Sequence, residues 1–373
     1  MAIETITDLL EAKRLVIKVG SSLLVDDQGA KHAWLANLVS DIDFLTARGS
    51  QVIVVSSGAI AQGAYRLDLP ARGRASLADA QAAAAVGQVE LWQLWAERLT
   101  ASGLVPAQML VTLGDLEDRR RYLNVAATLE RLLELRAVPV VNENDSVATE
   151  EIRFGDNDRL AARVAQAANA DAVLLLSDVA GLYDRDPSEE GSQLIERVEG
   201  VTPEIMAMAG TGSSSGLGSG GMLSKLQAAR IAERAGIALA IIDGRISAPI
   251  TDQFANEKGT LFLPVRADNA RKSWLGGRLA PEGALTVDAG CAKALQGGAS
   301  LLAAGLSGVE GEFQRGALVS VIGPDGQLLG QGLVEYSARE CRTIQGLKHR
   351  EQGAQLGYAP RAAVVHTDQL VRG

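Results

Sequence analysis

The sequence predicts an α/β protein: a three-layer αβα sandwich around a mainly parallel, open sheet, followed by a small, mostly-β, barrel-like domain. Three observations predict it. Six short runs rich in Val, Leu and Ile recur between residues 14 and 244, each closed by small or polar residues, as strands covered on both faces of a parallel sheet would be. Longer segments rich in Ala, Leu, Glu, Gln and Arg separate them, and alternating strand and helix builds a layered α/β unit. The pattern then breaks at residues 266–283 and resumes as shorter, glycine-bounded runs.

In chain order, strands are expected at 14–19 (RLVIKV), 51–58 (QVIVVSSG), 104–110 (LVPAQML), 137–144 (AVPVVNEN), 171–178 (DAVLLLSD) and 237–244 (IALAIIDG). Helices are expected over 31–47, 75–101, 119–135, 157–168 and 222–235. The polar, glycine-bearing stretch RADNARKSWLGGRLAPEG reads as a boundary, giving residues 1–268, a linker over 269–282, and residues 283–373. Beyond it, runs at 284–288, 316–336 and 362–366 read as strands, with GPDG at 323–326 as a hairpin turn.

Composition removes several function classes. The 373 residues are 47% hydrophobic, enough for large cores. The formal charge of −9 argues against whole-chain affinity for nucleic acid or anionic membrane. The two cysteines, Cys291 and Cys341, have no metal or redox spacing and suit a reduced, cytoplasmic chain. No signal peptide and no membrane span is expected. The three histidines are far apart in sequence, so no zinc-like ligand set arises.

In open parallel sheets the reacting groups gather beyond the carboxyl ends of the strands. Five clusters fall there. Lys18, with Gly20, Ser21 and Ser22, closes the first strand; it either meets an anion at a backbone nest or escapes to solvent before an ordinary turn. Ser57, in SSGAIAQG, either caps a helix or holds a substrate carboxylate at that helix start. NENDSVATEE carries Asn142 to Asp145, and FGDNDRLAARVA carries Asp156, Asn157 and Asp158 at a helix start. Such groups bind an ammonium, orient a lysine, hold Mg²⁺ through water, or simply cap. The fifth cluster, GSSSGLGSGGMLSKLQAA, is neither a Walker A loop nor a clear dinucleotide fingerprint, yet its glycines permit close backbone approach and Lys225 follows within a helix. Two lysines, several acids and amides, and two glycine-serine turns suit a reaction without covalent catalysis, and phosphoryl transfer needs chiefly alignment and positive charge.

The blocks VIKVGSS, VVSSGAIAQG, VPVVNENDSVA, FGDNDRLAARVA, LLLSDVAGLY and GSGGMLSKLQAARIAERAGI resemble the successive motifs of the amino-acid kinase family, in particular its glutamate-phosphorylating branch. The tail from GALTVDAGCAKAL onward resembles a PUA domain. The resemblance implies ATP-dependent phosphorylation of the L-glutamate γ-carboxylate, the first step towards proline, with Mg²⁺ carried mainly by the nucleotide phosphates. It implies that Lys18 contacts the transferring phosphate, that Lys225 approaches from the nucleotide side, and that Asp158 organises both. Ser57, Asp145 and Asn157 match glutamate-binding positions. Gly20, Ser177, Asp178 and the loop Ser219, Gly220, Gly221, Met222, Leu223 and Ser224 match nucleotide-contacting positions. Many members carry threonine where this chain has Ser177 and Ser219; keeping the hydroxyl and losing a methyl should shift nucleotide affinity only slightly.

Feedback inhibition by L-proline and a homodimer or homotetramer are further implications. The tail from residue 283 carries eight basic and eight acidic residues, so RNA is the less favoured partner and a structural or regulatory role is expected. The rival readings are a related kinase of another amino acid, carbamate or nucleotide; an NAD-binding dehydrogenase, which predicts an early GxGxxG that the first strand lacks; and an RNA-binding protein whose kinase half is inert.

Overall fold

The computed structural model describes residues 3–26, 29–147, 157–209, 221–264 and 281–372, which fall in two units, residues 1–267 and 268–373. In the first, the strands are β1 (Arg14–Val19), a two-residue hairpin β2 (Val25–Asp26) and β3 (Gly29–Ala30), β4 (Gln51–Val55), β5 (Val105–Val111), β6 (Ala137–Glu143), β7 (Ala172–Ser177), a short pair β8 (Leu182–Tyr183) and β9 (Leu194–Ile195), β10 (Arg197–Glu199), β11 (Ala238–Asp243) and β12 (Thr260–Leu263). The helices are α1 (Ser21–Leu24), α2 (His32–Ala47), α3 (Ala59–Arg66), α4 (Leu77–Ala101), α5 (Leu113–Glu117), α6 (Arg119–Glu134), α7 (Asn157–Ala168), α8 (Pro203–Ala207), α9 (Met222–Arg234) and α10 (Thr251–Ala255).

Among the described residues eight strands form one sheet in the order β10-β12-β11-β7-β1-β4-β6-β5, and only β12 against β11 is antiparallel. The chain leaves β1 through β4 to one edge and returns through β7 to the other. The order therefore reverses beside β1, where parallel sheets open a ligand crevice.

Alternation along β1 decides what faces what. Leu15, Ile17 and Val19 join the core beneath α2, α4 and α10, with Leu38, Trp95 and Phe254. Val16 joins the opposite core beneath α6, α7 and α9, with Leu129, Leu160 and Leu226. Lys18 shares the face of Val16, since side chains two apart on a strand point the same way. The last side chain of β1 on that face is thus a lysine directed under α7 and α9.

The six expected strands are present, and two further strands of the large sheet went unread, as did the short pairs β2–β3 and β8–β9. β10 and β12 are three and four residues long and close one edge of the sheet. β5 departs from the expectation of burial on both faces: it is the other edge, and Val105 is 61% exposed.

The pair α3 and α4 carries the loop after β4 into position, and it rests on glycines. A Cβ on Gly87 would stand 1.9 Å from the Ala59 carbonyl oxygen, and one on Gly63 would stand 1.7 Å from that of Ala83. The backbones touch where side chains would normally hold helices apart. Gly87→Ala is expected to destabilise the first unit by about 3 kcal/mol, despite the better helix propensity of alanine. Chemical denaturation checks this, and an unchanged or raised midpoint would refute the close crossing.

In the second unit, β13 (Gly283–Val287), β14 (Leu306–Gly311), β15 (Leu318–Ile322), β16 (Leu328–Val334) and β17 (Val365–Arg372) form a sheet in the order β14-β13-β15-β16-β17. The expected hairpin joins β15 and β16: Gly326 has φ 76°, and the Gly323 N–H donates to the Gln327 carbonyl at 2.8 Å. Helices Ala289–Gln296, Ala338–Ile344 and His349–Leu356 cover this sheet, and the core includes Leu285, Val319, Tyr336 and Cys341. No described helix is long and apolar enough to cross a membrane.

Candidate active site

Beyond the ends of β1, β4 and β7 opens a cleft of about 590 Å³. At its centre three buried charges meet. Lys18 Nζ lies 2.6 Å from Asp158 Oδ1, and Lys225 Nζ lies 3.2 Å from Asp158 Oδ2. Lys18 is 8%, Lys225 5% and Asp158 1% exposed. Lys18 comes from β1, Lys225 from the first turn of α9, and Asp158 from the first turn of α7, where the helix dipole favours a negative charge. Burial opposes ionisation of Asp158, but the two ammonium groups outweigh it and hold the carboxyl below the usual carboxylate range. The triad therefore carries one net positive charge, directed at the cleft.

Asn157 and Asp145 mark one end. Asn157 Nδ2 donates to the Ser56 carbonyl at 2.6 Å and to Asn142 Oδ1 at 3.1 Å. Asn142 Nδ2 in turn donates to Gln88 Oε1 at 2.6 Å. This chain fixes the orientation of both amides and leaves Asn157 Oδ1 buried with no hydrogen-bond partner among the described residues. Asp145 Oδ1 is likewise buried without a partner among the described residues. Both residues line the cleft, so two acceptors there await a donor.

Burial pushes the Asp145 carboxyl up to about 6, and among the described residues the charge of Arg74 pulls it back. A carboxyl whose folded value lies above its unfolded value costs nothing when both states are protonated and costs most above the folded value. Asp145→Asn should therefore stabilise the ligand-free protein by about 1–3 kcal/mol at pH 8, with a gain that shrinks as the pH falls to 5. Calorimetry at the two pH values checks this; an equal gain at both would mean that the carboxyl titrates normally.

Ser57 lines the cleft but does not cap α3. Its hydroxyl donates to the Val19 carbonyl at 2.9 Å, and Gly58, with φ 112°, is the N-cap residue. Ser57 thus ties the end of β4 to the end of β1. Behind it, Trp95 Nε1 donates to Ser56 Oγ at 2.9 Å.

The other end of the cleft is framed by Gly20, Ser177, Asp178, Gly221 and Met222. Gly20 is the N-cap residue of α1 and its carbonyl accepts from the Leu23 N–H at 3.1 Å, whereas the N–H groups of Ser21 and Ser22 stand too early in the helix for an intrahelical acceptor. Ser177 Oγ donates to Asp178 Oδ1 at 3.2 Å and accepts from the Val179 N–H at 3.4 Å. Gly221 caps α9, but Leu223 is 50% exposed, and neither it nor Ser224 lines the cleft. Ser219 and Gly220 lie outside the described residues.

The structure thus brings Lys18, Ser57, Asp145, Asn157, Ser177, Asp178 and Lys225 onto one cleft, with Asp158 holding the two lysines. The sequence placed Asn142 in a candidate cluster without a role of its own, and gave no indication of Arg74 or Gln88. Asn142 had a signal, since it ends a strand in the same block as Asp145. Gln88 had none within a long helix.

Residues 13–243 match the model of the amino acid kinase family, and residues 283–352 match that of the PUA domain. The chain is 61% identical over 375 residues to a glutamate 5-kinase from Novosphingobium aromaticivorans, covering 100% of both chains. It is 60% identical over 359 residues to a glutamate 5-kinase from Sphingopyxis alaskensis, covering 96% of this chain and 97% of that one. It is 51% identical over 360 residues to one from Zymomonas mobilis, covering 96% and 91%.

Proposed function

The chain belongs to the amino acid kinase family and carries a PUA domain, and from that premise we propose that it transfers the γ-phosphoryl group of ATP to the γ-carboxylate of L-glutamate. The observation that carries the reading is the pairing of Lys18 and Lys225 on one buried carboxylate, with unpartnered acceptors at one end of the same cleft. The division proposed is a kinase domain over residues 1–268, a linker over 269–282 and a PUA domain over 283–373.

The chemistry follows from charge. The glutamate γ-carboxylate is already a nucleophile and needs no base. The obstacle is an anion approaching a polyanion. Lys18 and Lys225 flank the transferring group and offset charge on its equatorial oxygens as the bond to the leaving oxygen lengthens. Asp158 accepts no proton; it holds the two ammonium groups in place. The N–H groups following Gly20 add donors on the phosphate side. At the other end, Asp145 and Asn157 Oδ1 receive the α-ammonium of glutamate, and Ser57 keeps the two strand ends in register.

The cleft suits a nucleotide polyphosphate, since the triad presents net positive charge to it. Among the described residues no group of three or more acidic, histidine or cysteine side chains forms a metal cage. Mg²⁺ would accordingly be carried by phosphate oxygens and water, supplying further neutralisation of the phosphates. Feedback inhibition by L-proline, a homodimer or homotetramer, a cytoplasmic location and a structural or regulatory PUA domain complete the proposal; the family resemblance and the high identity to glutamate 5-kinases support them.

The test is ADP release from ATP and Mg²⁺ with L-glutamate, L-aspartate, carbamate and UMP supplied separately, and hydroxylamine present to trap an acyl phosphate as a hydroxamate. A glutamate-dependent signal in both assays is expected. Turnover with another acceptor alone would reassign the Ser57, Asp145 and Asn157 pocket.

A further inference from the structure

The cleft carries a cation that this scheme leaves unused. Arg74 is exposed and lines the same cleft as Asp145, Asn157 and Ser57, and its charge favours the ionised Asp145 carboxylate. Four Lys or Arg residues line the cleft among the described residues: Lys18, Arg74, Arg185 and Lys225. Lys18 and Lys225 are held on Asp158. Arg185 pairs with its neighbour Asp184 at 3.0 Å. Arg74 is the one whose charge bears on Asp145.

Its position is built rather than incidental. Ala71, Arg72 and Gly73 have φ of 49°, 54° and 74°, three consecutive left-handed residues, and the first two bear side chains that make that region costly. Gly73 is buried where a Cβ would stand 2.9 Å from Ala64 Cβ and 3.1 Å from Ala83 Cβ. The turn before Arg74 is therefore clamped into the groove between α3 and α4, the same helix pair that carries the Ser57 loop and Gln88. An arginine serving only as surface charge needs no such frame.

The remaining step rests on the glutamate reading. Glutamate presents three charged groups. The γ-carboxylate meets the phosphate, and the α-ammonium meets Asp145 and Asn157. The α-carboxylate shares its carbon with the ammonium, so its receptor must adjoin the receptor of the ammonium. A cation beside Asp145 meets that requirement, and a guanidinium offers a fork that matches a carboxylate. We propose that Arg74 is the specificity residue that binds the α-carboxylate of the amino-acid acceptor, so that Arg74 and Asp145 together select an α-amino acid from other carboxylates.

The test compares the wild-type protein, Arg74→Ala and Arg74→Lys in the full chain, under saturating ATP and Mg²⁺. The kinetic constants for L-glutamate are measured together with the inhibition constant of 4-aminobutyrate, which lacks the α-carboxylate. Arg74→Ala should raise the glutamate KM roughly tenfold to hundredfold and leave kcat within about threefold. The inhibition constant of 4-aminobutyrate should hold within about twofold, because that molecule never used Arg74, and Arg74→Lys should recover part of the loss. An unchanged glutamate KM, or equal weakening of glutamate and 4-aminobutyrate, would overturn the inference and leave Arg74 a structural residue. A wild-type protein inert towards glutamate would instead overturn the glutamate reading, and this inference with it.

Discussion

Asp158→Asn is expected to abolish most of the turnover and to cost more stability than any other single change at the site. The substitution keeps the shape and removes one charge. It leaves two buried ammonium groups, formerly 2.6 and 3.2 Å from the carboxylate, with no anion between them. Breaking a buried pair from one side costs about 3–5 kcal/mol, because the surviving charge stays desolvated, and here two survive. A loss on the order of 10 °C in Tm at pH 7 follows for a unit of this size. The sign of the pH dependence is fixed by the lowered carboxyl. A group whose folded value lies below its unfolded value contributes stability above the unfolded value and loses it as pH falls through the folded one. The gap between wild type and variant should thus be widest at neutral pH and narrow below about pH 4.

The kinetic loss has a separate origin. Without the carboxylate the lysines repel one another and leave the positions from which they offset the transferring oxygens. A fall in kcat of about a thousandfold is the scale of losing preorganised donors of this kind. Polyphosphate restores the missing negative charge, so ATP should raise the Tm of the variant more than that of the wild type. Thermal scans with and without ATP, at two pH values, check the stability statements, and steady-state kinetics check the fall in kcat. A variant as stable and as active as the wild type would remove Asp158 from the organising role.

What the sequence showed of this arrangement, and what it hid, divides along physical lines. The parallel strands around β1 were legible because a strand covered on both faces must be apolar throughout, and RLVIKV, QVIVV and AVLLLS have no other use. β10 was not legible, because a three-residue edge strand such as Arg197–Glu199 buries only its middle side chain, and β12, although buried at three of its four positions, is too short a run to stand out as a strand. Lys18, Asp158 and Lys225 were legible as charges at element ends, where burial without a partner would be prohibitive. That they meet on one carboxylate follows from the alternation in β1, which sends Lys18 to the side of α7 and α9. Arg74 left no trace, since a turn of left-handed residues has no period, and its meaning comes only from Asp145, distant in sequence. The glycines of α3 and α4 were equally silent: Gly63 and Gly87 look like ordinary weak points in helices until the two backbones are seen to touch.

Lys18→Met separates electrostatic stabilisation from packing at the same site. Methionine keeps most of the volume of the buried lysine stem between its neighbours Val55 and Leu175, so the lost quantity is the charge. Asp158 retains Lys225, so the stability cost should be clearly smaller than for Asp158→Asn. The kcat should nevertheless fall by about a hundredfold to ten-thousandfold, because in the proposed scheme the charge that grows on the transferring oxygens loses the ammonium on the strand side. The glutamate KM should move by less than about threefold, since the proposed scheme has the α-ammonium at Asp145 and Asn157 rather than at Lys18. Lys18→Arg should not rescue turnover: a planar guanidinium is wider than an ammonium, and the 2.6 Å contact beneath α7 was shaped by a compact one. Steady-state kinetics on the two variants decide the matter. A raised glutamate KM with kcat preserved would place Lys18 at the substrate instead of the phosphate, whereas a rescued kcat in Lys18→Arg would mean that charge alone, without the position set by β1 and Asp158, suffices for the transfer.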